Sequence, residues 1–261
     1  MGKKQDVLEE IFYICQQRDE DVFDNYLVKE VCEDFGFGNP FDATKVDRSE
    51  LYPDVMKRGQ GYFIIHLGQG RHQFFPNISF GYHTLEPISD DEIIPWAYRK
   101  SLLNEYDTSE SNIISVGINQ RILHHFLYDD IVANPKQYGA RRTKFSGHYT
   151  IDSEFIAVSR LQMEIDAVLE LDNNITVIEG KNGFPRDFAV YQLFHPYLHF
   201  AELRESGELD VREIRCCYFQ RLKRDAGSTL RLHLYRFHAR ELSSIKLVKK
   251  REYRLEIKDP L

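Results

Sequence analysis

Three side chains near the middle of the chain have the types and spacing that could support hydrolysis of a phosphate ester. Asp166 is followed, after twelve intervening residues, by Glu179 and Lys181 with a single glycine between the last two. Carboxylate oxygens are the ligands that a hard cation such as Mg²⁺ prefers. A lysine close to that ion can orient or deprotonate a water molecule for attack. We therefore take Asp166 and Glu179 as candidate metal ligands and Lys181 as a candidate catalytic group.

Two predicted strands must bring these groups together. Apolar residues occupy every second position from Leu161 to Leu171, which predicts a half-buried strand. The run from Ile175 to Lys181 predicts a second strand, in which Glu179 and Lys181 share a face. The intervening residues 172–174 are a turn signal.

A tight turn on Asn173 and Asn174 would set the register of this hairpin. Counting back from such a turn places residue 166 opposite 181 and residue 168 opposite 179. Asp166 and Glu179 would then lie diagonally on one face, roughly 7 Å apart at the backbone. We expect Lys181 beside them.

An acid-x-Lys triplet is common in protein sequences, so the triplet indicates a functional site only if the surrounding residues support one. The chain contains two, Glu179-Gly180-Lys181 and Glu256-Ile257-Lys258, and only the first is followed by a predicted helix. The structural alternative for the first is a solvent-facing Glu and Lys pair on an edge strand. The apolar run from Ile175 to Ile178 indicates a central strand instead, where unpaired charges would be costly. This context favours a functional site.

The order Asp166, Glu179-Gly180-Lys181 and then a helix resembles the active-site signature of the PD-(D/E)XK nuclease superfamily. Ile165 stands where the name-giving proline would be. The resemblance runs from about residue 109 to 238 and extends to type II restriction endonucleases. It implies that Asp166 and Glu179 bind Mg²⁺, that Lys181 positions water or stabilises charge, and that Gln192 is a possible accessory.

The same resemblance implies a fold, a reaction and one further residue. The fold would be α/β (α+β), a restriction-endonuclease-like core with a mixed central sheet flanked by helices. The reaction would be Mg²⁺-dependent hydrolysis of double-stranded DNA that leaves 5′-phosphates. Ser109 is a good N-cap for a helix that the apolar spacing predicts to run to about Tyr128, before the core strands. Glu110, at the start of this helix, would match the family's variable first-helix glutamate.

Charge is unevenly distributed along the 261 residues, whose net charge is −7. Residues 151–210 carry 4 basic and 12 acidic side chains, whereas residues 211–261 carry 14 basic and 6 acidic ones. A carboxylate-rich segment followed by a basic one suits an active site within a polyanion-binding surface, although a solvated basic edge has the same composition. We expect the basic strands near the carboxyl end to neutralise DNA phosphates.

The first hundred residues predict a helical lobe with a hairpin. Two amphipathic helices, the second of which includes Phe23, precede two β-prone runs that flank Gly68-Gln69-Gly70. This order resembles a winged-helix module, which serves either DNA recognition or protein contact. We expect Arg71 and His72 near phosphates. A second basic cluster, Arg141, Arg142 and Lys144, is predicted in a loop after Asn134-Pro135.

The sequence thus predicts a DNA-recognition lobe over residues 1–100 and a nuclease domain over residues 101–261. We interpret the chain as a type II restriction enzyme, with a homodimer matching a palindromic site. Two alternatives stay open: a structure-selective repair or recombination nuclease of the same fold, and a non-catalytic winged-helix DNA-binding protein.

Other classes of protein find little support. No run of 18 apolar residues and no signal-peptide pattern occurs, so we expect a cytoplasmic protein without a membrane partner. The four cysteines lack the spacing of a zinc site or a disulfide framework, and adjacent Cys216 and Cys217 on a strand would face opposite sides. Nucleotide-binding and serine-hydrolase motifs are absent from the sequence, and no cofactor other than Mg²⁺ is expected.

Overall fold

A mixed seven-stranded sheet forms the centre of the computed structural model, which describes residues 2–99, 101, 110–224 and 227–256. The helices are α1 Lys3–Arg18, α2 Asn25–Asp34, α3 Pro40–Ala43, α4 Glu110–Asn119, α5 Ile122–Tyr128 and α6 Tyr191–Glu205. The strands are β1 Val22–Asp24, β2 Tyr62–Gly68, β3 Arg71–Pro76, β4 Tyr82–Thr84, β5 Ile93–Ala97, β6 Lys136–Tyr138, β7 Arg141–Ile151, β8 Glu154–Ile165, β9 Ala167–Leu171, β10 Asn174–Asn182, β11 Asp187–Ala189, β12 Glu213–Arg224, β13 Gly227–Phe237 and β14 Ile245–Glu256.

The order of the central sheet is β5-β14-β13-β12-β10-β9-β6. The pairs β10/β12 and β14/β5 are parallel, and the other neighbours are antiparallel. Helices cover both faces, so the predicted α/β class with a mixed central sheet flanked by helices is confirmed.

The two faces of the sheet carry different layers because side chains alternate along each strand. Cys216 faces α6 and its thiol contacts the carbonyl of Leu193 at 3.7 Å. Cys217 belongs to the opposite core, which packs against Ile113 of α4 and Leu123 of α5. The expectation that the two cysteines face opposite sides is confirmed.

The amino-terminal segment has the predicted order of helices followed by a hairpin, with one added strand. β1 pairs with β3, which gives a small sheet of order β1-β3-β2. Asp24 ends β1 and caps α2, since its carboxylate accepts the N–H groups of Tyr26 and Leu27. Phe23, expected on the second helix, therefore lies in a strand.

The tip of the β2–β3 hairpin packs against β8. The side-chain amide of Gln69 donates to the hydroxyl of Ser159 at 2.7 Å. Gly68 has φ of 84°, and a Cβ added there would lie 2.0 Å from the carbonyl oxygen of Ser159. Only glycine fits this close approach.

The single helix predicted from residue 109 to about 128 is two helices, which corrects that expectation. The break follows Gln120, whose buried side chain bonds both the N–H and the carbonyl of Arg99 at 2.7 Å. Its own carbonyl accepts the indole N–H of Trp96 at 2.7 Å. Arg121 then adopts φ of 60°, which ends the helical path. The expected helix start at Ser109 lies outside the described residues.

The predicted boundary at residue 100 stays a prediction. Strand β5 lies before it, yet β5 pairs with β14 in the central sheet, with Ile94 opposite Tyr253. Strand β4 likewise pairs with β11. Within the described ranges, no helix has the length and apolar character needed to span a membrane.

Candidate active site

The β9–β10 hairpin sets the register of the candidate residues, and its turn differs from the one predicted. Asp172 and Asn173 form a two-residue turn with φ of 50° and 57°, so Leu171 pairs with Asn174. Asp and Asn tolerate the left-handed conformation that such a turn requires at both positions. The predicted turn on Asn173 and Asn174 is therefore wrong by one residue, and the pairings derived from it are wrong by two.

The observed register brings Asp166 closer to Glu179 than the predicted one. The last bonded pair is Ala167 with Ile178. The next position along both chains places Asp166 opposite Glu179 instead of diagonal to it. The Asp166 carboxylate accepts the N–H of Gly180 at 2.9 Å, which fixes it at the strand edge beside Glu179.

Asp166 also interrupts the strand that was predicted to run from residue 161 to 171. Exposed and buried side chains alternate along β8 from Arg160 to Ile165. β8 pairs with β7, whereas β9 pairs with β10 and β6 in the central sheet. Asp166 thus occupies the junction where the chain passes from one sheet to another.

Glu179 is buried and surrounded by charged and polar groups. Its side chain lies 3.2 Å from the ammonium of Lys181 and accepts the amide N–H of Gln192 at 3.2 Å. Burial raises the pKa of Glu179 to about 8, which the nearby Lys181 opposes and the Asp166 carboxylate reinforces. The site therefore holds more carboxylate than its one lysine neutralises.

A third carboxylate, that of Asp47, reaches the same place from the amino-terminal segment. It lies 3.7 Å from the ammonium of Lys181 and accepts the amide N–H of Gln192 at 3.2 Å. Its charge adds to the rise in the pKa of Glu179. Sequence reasoning missed Asp47, since it is one of 13 acidic residues among the first 50 and has no motif around it.

The donor set suits a hard divalent cation. Among the described residues, no group of three or more His, Cys, Asp and Glu side chains is arranged to hold a metal ion. Asp166 and Glu179 nevertheless offer carboxylate oxygens at one strand edge, where burial disfavours an uncompensated negative charge. The buried Oε1 of Gln192 has no hydrogen-bond partner within the described part of the chain. A cation beside Glu179 would supply the missing positive charge.

Glu110 cannot be placed in the site. It begins α4, and its side chain lies outside the described residues. α4 packs on the face of the sheet that carries Ile178, whereas Glu179 and Lys181 lie on the face that α6 covers. Its predicted role stays a prediction.

The two predicted phosphate contacts of the hairpin, Arg71 and His72, differ in their exposure to solvent. Arg71 is exposed, but His72 is buried, with its ring bonded to His66 and Asn25 at 2.8 Å each. Burial lowers the pKa of His72 to about 4, so the ring is neutral near neutral pH. The expectation that His72 contacts phosphates is therefore wrong.

The basic cluster Arg141, Arg142 and Lys144 lies on strand β7, so the prediction that it lies in a loop is wrong. Alternation along the strand divides the cluster between two faces. Arg141 stacks over the ring of Phe200 at 5.1 Å, while Arg142 pairs with Glu164 at 2.6 Å. Lys144 is exposed on the same side as Arg142.

Many basic side chains of the last strands are paired with acids. This limits the phosphate-neutralising surface expected there, because a paired guanidinium or ammonium must first leave its carboxylate. The pairs are Arg231 and Arg254 with Glu252, Arg236 with Glu213, Lys249 with Asp129, and Lys250 with Glu92.

Comparison with protein families shows a match over about two thirds of the chain. Residues 79–254 match a family described as Domain of unknown function (DUF6997). No curated protein and no solved structure matches the chain. The matched residues include Asp166, Glu179, Lys181 and Gln192, whereas Asp47 lies before them.

Proposed function

The chain belongs to the DUF6997 family, whose function is unknown, and from that premise we propose that it is a Mg²⁺-dependent DNA endonuclease of the PD-(D/E)XK type. One observation carries the proposal. Asp166, Glu179 and Lys181 converge at one strand edge, with Asp166 bonded to the backbone N–H between the other two. Their spacing in sequence resembles the PD-(D/E)XK signature, and their side chains also lie close together in space.

Each residue has a defined part in the proposed hydrolysis. Asp166 and Glu179 would hold the cation, which supplies Lewis-acid activation of the phosphate when bound. The Lys181 ammonium, held by Glu179 at 3.2 Å, donates toward a water molecule or a phosphate oxygen. Gln192 keeps the Glu179 carboxylate oriented through its amide N–H.

Double-stranded DNA is the proposed substrate, and type II restriction the proposed activity. The exposed Lys144 and the partly engaged Arg141 and Arg142 lie on β7, whose partner strand β8 leads directly into Asp166. Positive charges on the strands next to a cutting site favour phosphate binding. A homodimer would present two such sites to the two strands of a palindrome.

The proposal is tested by digesting unmethylated linear DNA with and without Mg²⁺. Discrete fragments that carry 5′-phosphates, and that disappear in EDTA, are expected. Cutting confined to branched or flapped DNA would support the structure-selective nuclease instead. DNA binding without cutting under any metal condition would favour the non-catalytic alternative.

Substitutions of the proposed catalytic residues distinguish an effect on the cleavage rate from an effect on DNA affinity. Asp166→Ala and Lys181→Ala should each lower the cleavage rate at least about 100-fold while DNA affinity measured in Ca²⁺ changes only about threefold or less. Lys136→Ala is the matched control, because Lys136 is an exposed lysine paired with Glu170 on the same sheet. Wild-type cleavage by either site variant would contradict the assignment.

A further inference from the structure

The Asp47 carboxylate makes two contacts that no part of the proposed mechanism yet uses. One oxygen accepts the amide N–H of Gln192 at 3.2 Å, and the other lies 3.7 Å from the ammonium of Lys181. Glu179 contacts the same two groups. Two carboxylates from distant parts of the chain thus share one amide and one ammonium.

The amide of Gln192 is held in one orientation by this arrangement. Its nitrogen carries two hydrogens, and one is directed to Glu179 and the other to Asp47. Both carboxyl groups accept from the amide nitrogen, so the nitrogen and not the amide oxygen of Gln192 faces the two acids. The cost is visible in the buried Oε1 of Gln192, for which the described residues provide no donor.

Lys181 is held in a comparable way. Its ammonium lies between the carboxylates of Glu179 and Asp47, at 3.2 and 3.7 Å. Two acceptors on different elements restrict a flexible four-carbon side chain more than one acceptor on its own strand does.

Hydrogen bonds of the main chain and of one side chain hold the loop that carries Asp47. The carbonyl of Asp47 accepts the N–H of Ala189 at 2.9 Å, just before α6. Two residues later, Ser49 donates both its N–H, at 3.0 Å, and its hydroxyl to the carboxylate of Asp187. The position of Asp47 therefore follows from the docking of the amino-terminal segment on β11.

Apart from the exposed Arg71, the parts of that segment that were predicted to contact DNA are already engaged or lie among unfavourable charges. The hairpin tip is bonded to Ser159, and His72 is buried. Residues 1–50 carry 6 basic and 13 acidic side chains, which opposes approach to a polyanion. A structural contribution to the site suits this segment better than base recognition.

We propose that Asp47 is a positioning residue of the nuclease site, which holds Lys181 and Gln192 against Glu179, so that the amino-terminal segment completes the catalytic centre. The inference rests on the proposed function for its catalytic meaning. It adds a residue outside the DUF6997 match, and it makes activity depend on docking of a segment that the family domain does not include.

Cleavage kinetics test the positioning role. Asp47→Asn should lower kcat by about 10- to 100-fold and leave KM for DNA within about threefold, because the residue orients reactive groups without touching DNA. Asp47→Glu should recover part of the loss. Asp54→Asn is the matched control, since Asp54 belongs to the same segment and its side chain is 87 % exposed. An unchanged kcat, or a change confined to KM, would overturn the inference.

A second measurement keeps the inference separate from the proposed function. In EDTA and without DNA, the Tm of Asp47→Asn, of Gln192→Ala and of the double variant is measured. Residues in contact are coupled, so the double variant should depart from additivity by about 2 °C or more. Asp54→Asn combined with Gln192→Ala should be additive.

The two failures are then distinguishable. If the wild-type chain cuts no DNA but the Tm shifts are non-additive, the proposed function fails and the placement of Asp47 at Lys181 and Gln192 stands. Additive Tm shifts would overturn the inference whatever the cleavage assay shows.

Discussion

At the scale of single residues, burial decides what the candidate groups can do. Glu179 and Asp166 were both expected as ionised metal ligands, but Glu179 is 9 % exposed and faces two further carboxylates. Without a cation, the pKa of Glu179 is about 8, so its carboxyl group is mostly protonated below that pH. The sequence supplied the residue types, whereas the environment that shifts the pKa comes from helix α6 and the loop of Asp47.

The raised pKa of Glu179 gives the first prediction. The folded chain retains a proton that the unfolded chain releases near its ordinary pKa of 4.5. Folding stability contributed by this group is therefore present at low pH and is lost as the pH rises toward 8. Replacing Glu179 by Gln removes the titration.

Urea denaturation of wild type and Glu179→Gln in metal-free buffer checks this. The free energy of unfolding of the variant, relative to wild type, should increase by about 1–3 kcal/mol between about pH 5 and pH 8. Mg²⁺ should reduce the difference, because a bound cation favours the ionised carboxylate. Parallel pH profiles of the two proteins would contradict the buried environment of Glu179.

At the scale of elements, the pattern of apolar residues predicted most strands but not where they bend or turn. The apolar spacing from residue 161 to 171 could not show that the chain changes sheets at Asp166, because it continues unbroken through both strands, although β8 buries alternate residues there and β9 buries Ala167, Val168 and Leu169 in succession. The turn could not be placed to the residue, since three successive Asx residues all favour turns. The positive φ angles of Asp172 and Asn173 show that the turn is formed by these two residues, which fixes the register of β9 and β10.

The docked hairpin tip gives a prediction at this scale. Gly68 and Gly183 have nearly equal φ, 84° and 82°, but only Gly68 faces neighbouring backbone, at 2.0 Å. Gly183→Ala should therefore cost about 1–2 kcal/mol for the left-handed conformation alone. Gly68→Ala should cost about 1–3 kcal/mol more, because the hairpin tip must separate from β8.

Thermal or urea unfolding of both variants measures the difference. Gly183 serves as the internal control, as a Cβ there meets nothing within 4 Å. Equal destabilisation of the two variants would show that the tip is not held against Ser159.

At the scale of the whole molecule, buried histidines lie where the amino-terminal hairpin meets helix α6. The rings of His66 and His72 are bonded at 2.8 Å, and Tyr191 contacts both His66 and His195. Burial lowers the pKa of His72 and of His195 to about 4. These groups fold in the neutral form.

Acid sensitivity of the whole fold follows from these histidines. The unfolded chain takes up protons below the ordinary histidine pKa of 6.5, whereas the folded chain does not until about pH 4. Stability should therefore fall as the pH drops from about 6.5 to 4. Glu179 opposes this trend with a single proton against the two of His72 and His195, so these groups predict maximal stability near about pH 6.5 for the metal-free protein.

A pH series of unfolding free energies tests the contribution of one ring. His195→Phe should reduce the loss between about pH 6.5 and 4 by about 1–3 kcal/mol, since the stacked aromatic contact is kept and the titration removed. His148→Phe, a change at an exposed histidine, is the control for the loss of an imidazole ring. An unchanged slope in His195→Phe would contradict a buried neutral ring.

The sequence by itself determined the α/β class, the order of most elements and the candidates Asp166, Glu179 and Lys181. These depend on local periodicity and on spacing along neighbouring strands, which a single stretch of chain encodes. Tertiary structure alone decided the contacts of Asp47 with Gln192 and Lys181, the burial of His72 and the division of the basic cluster between two faces of β7. Asp47 and Gln192 are 145 positions apart, and contacts over such separations arise only when packing brings distant surfaces together.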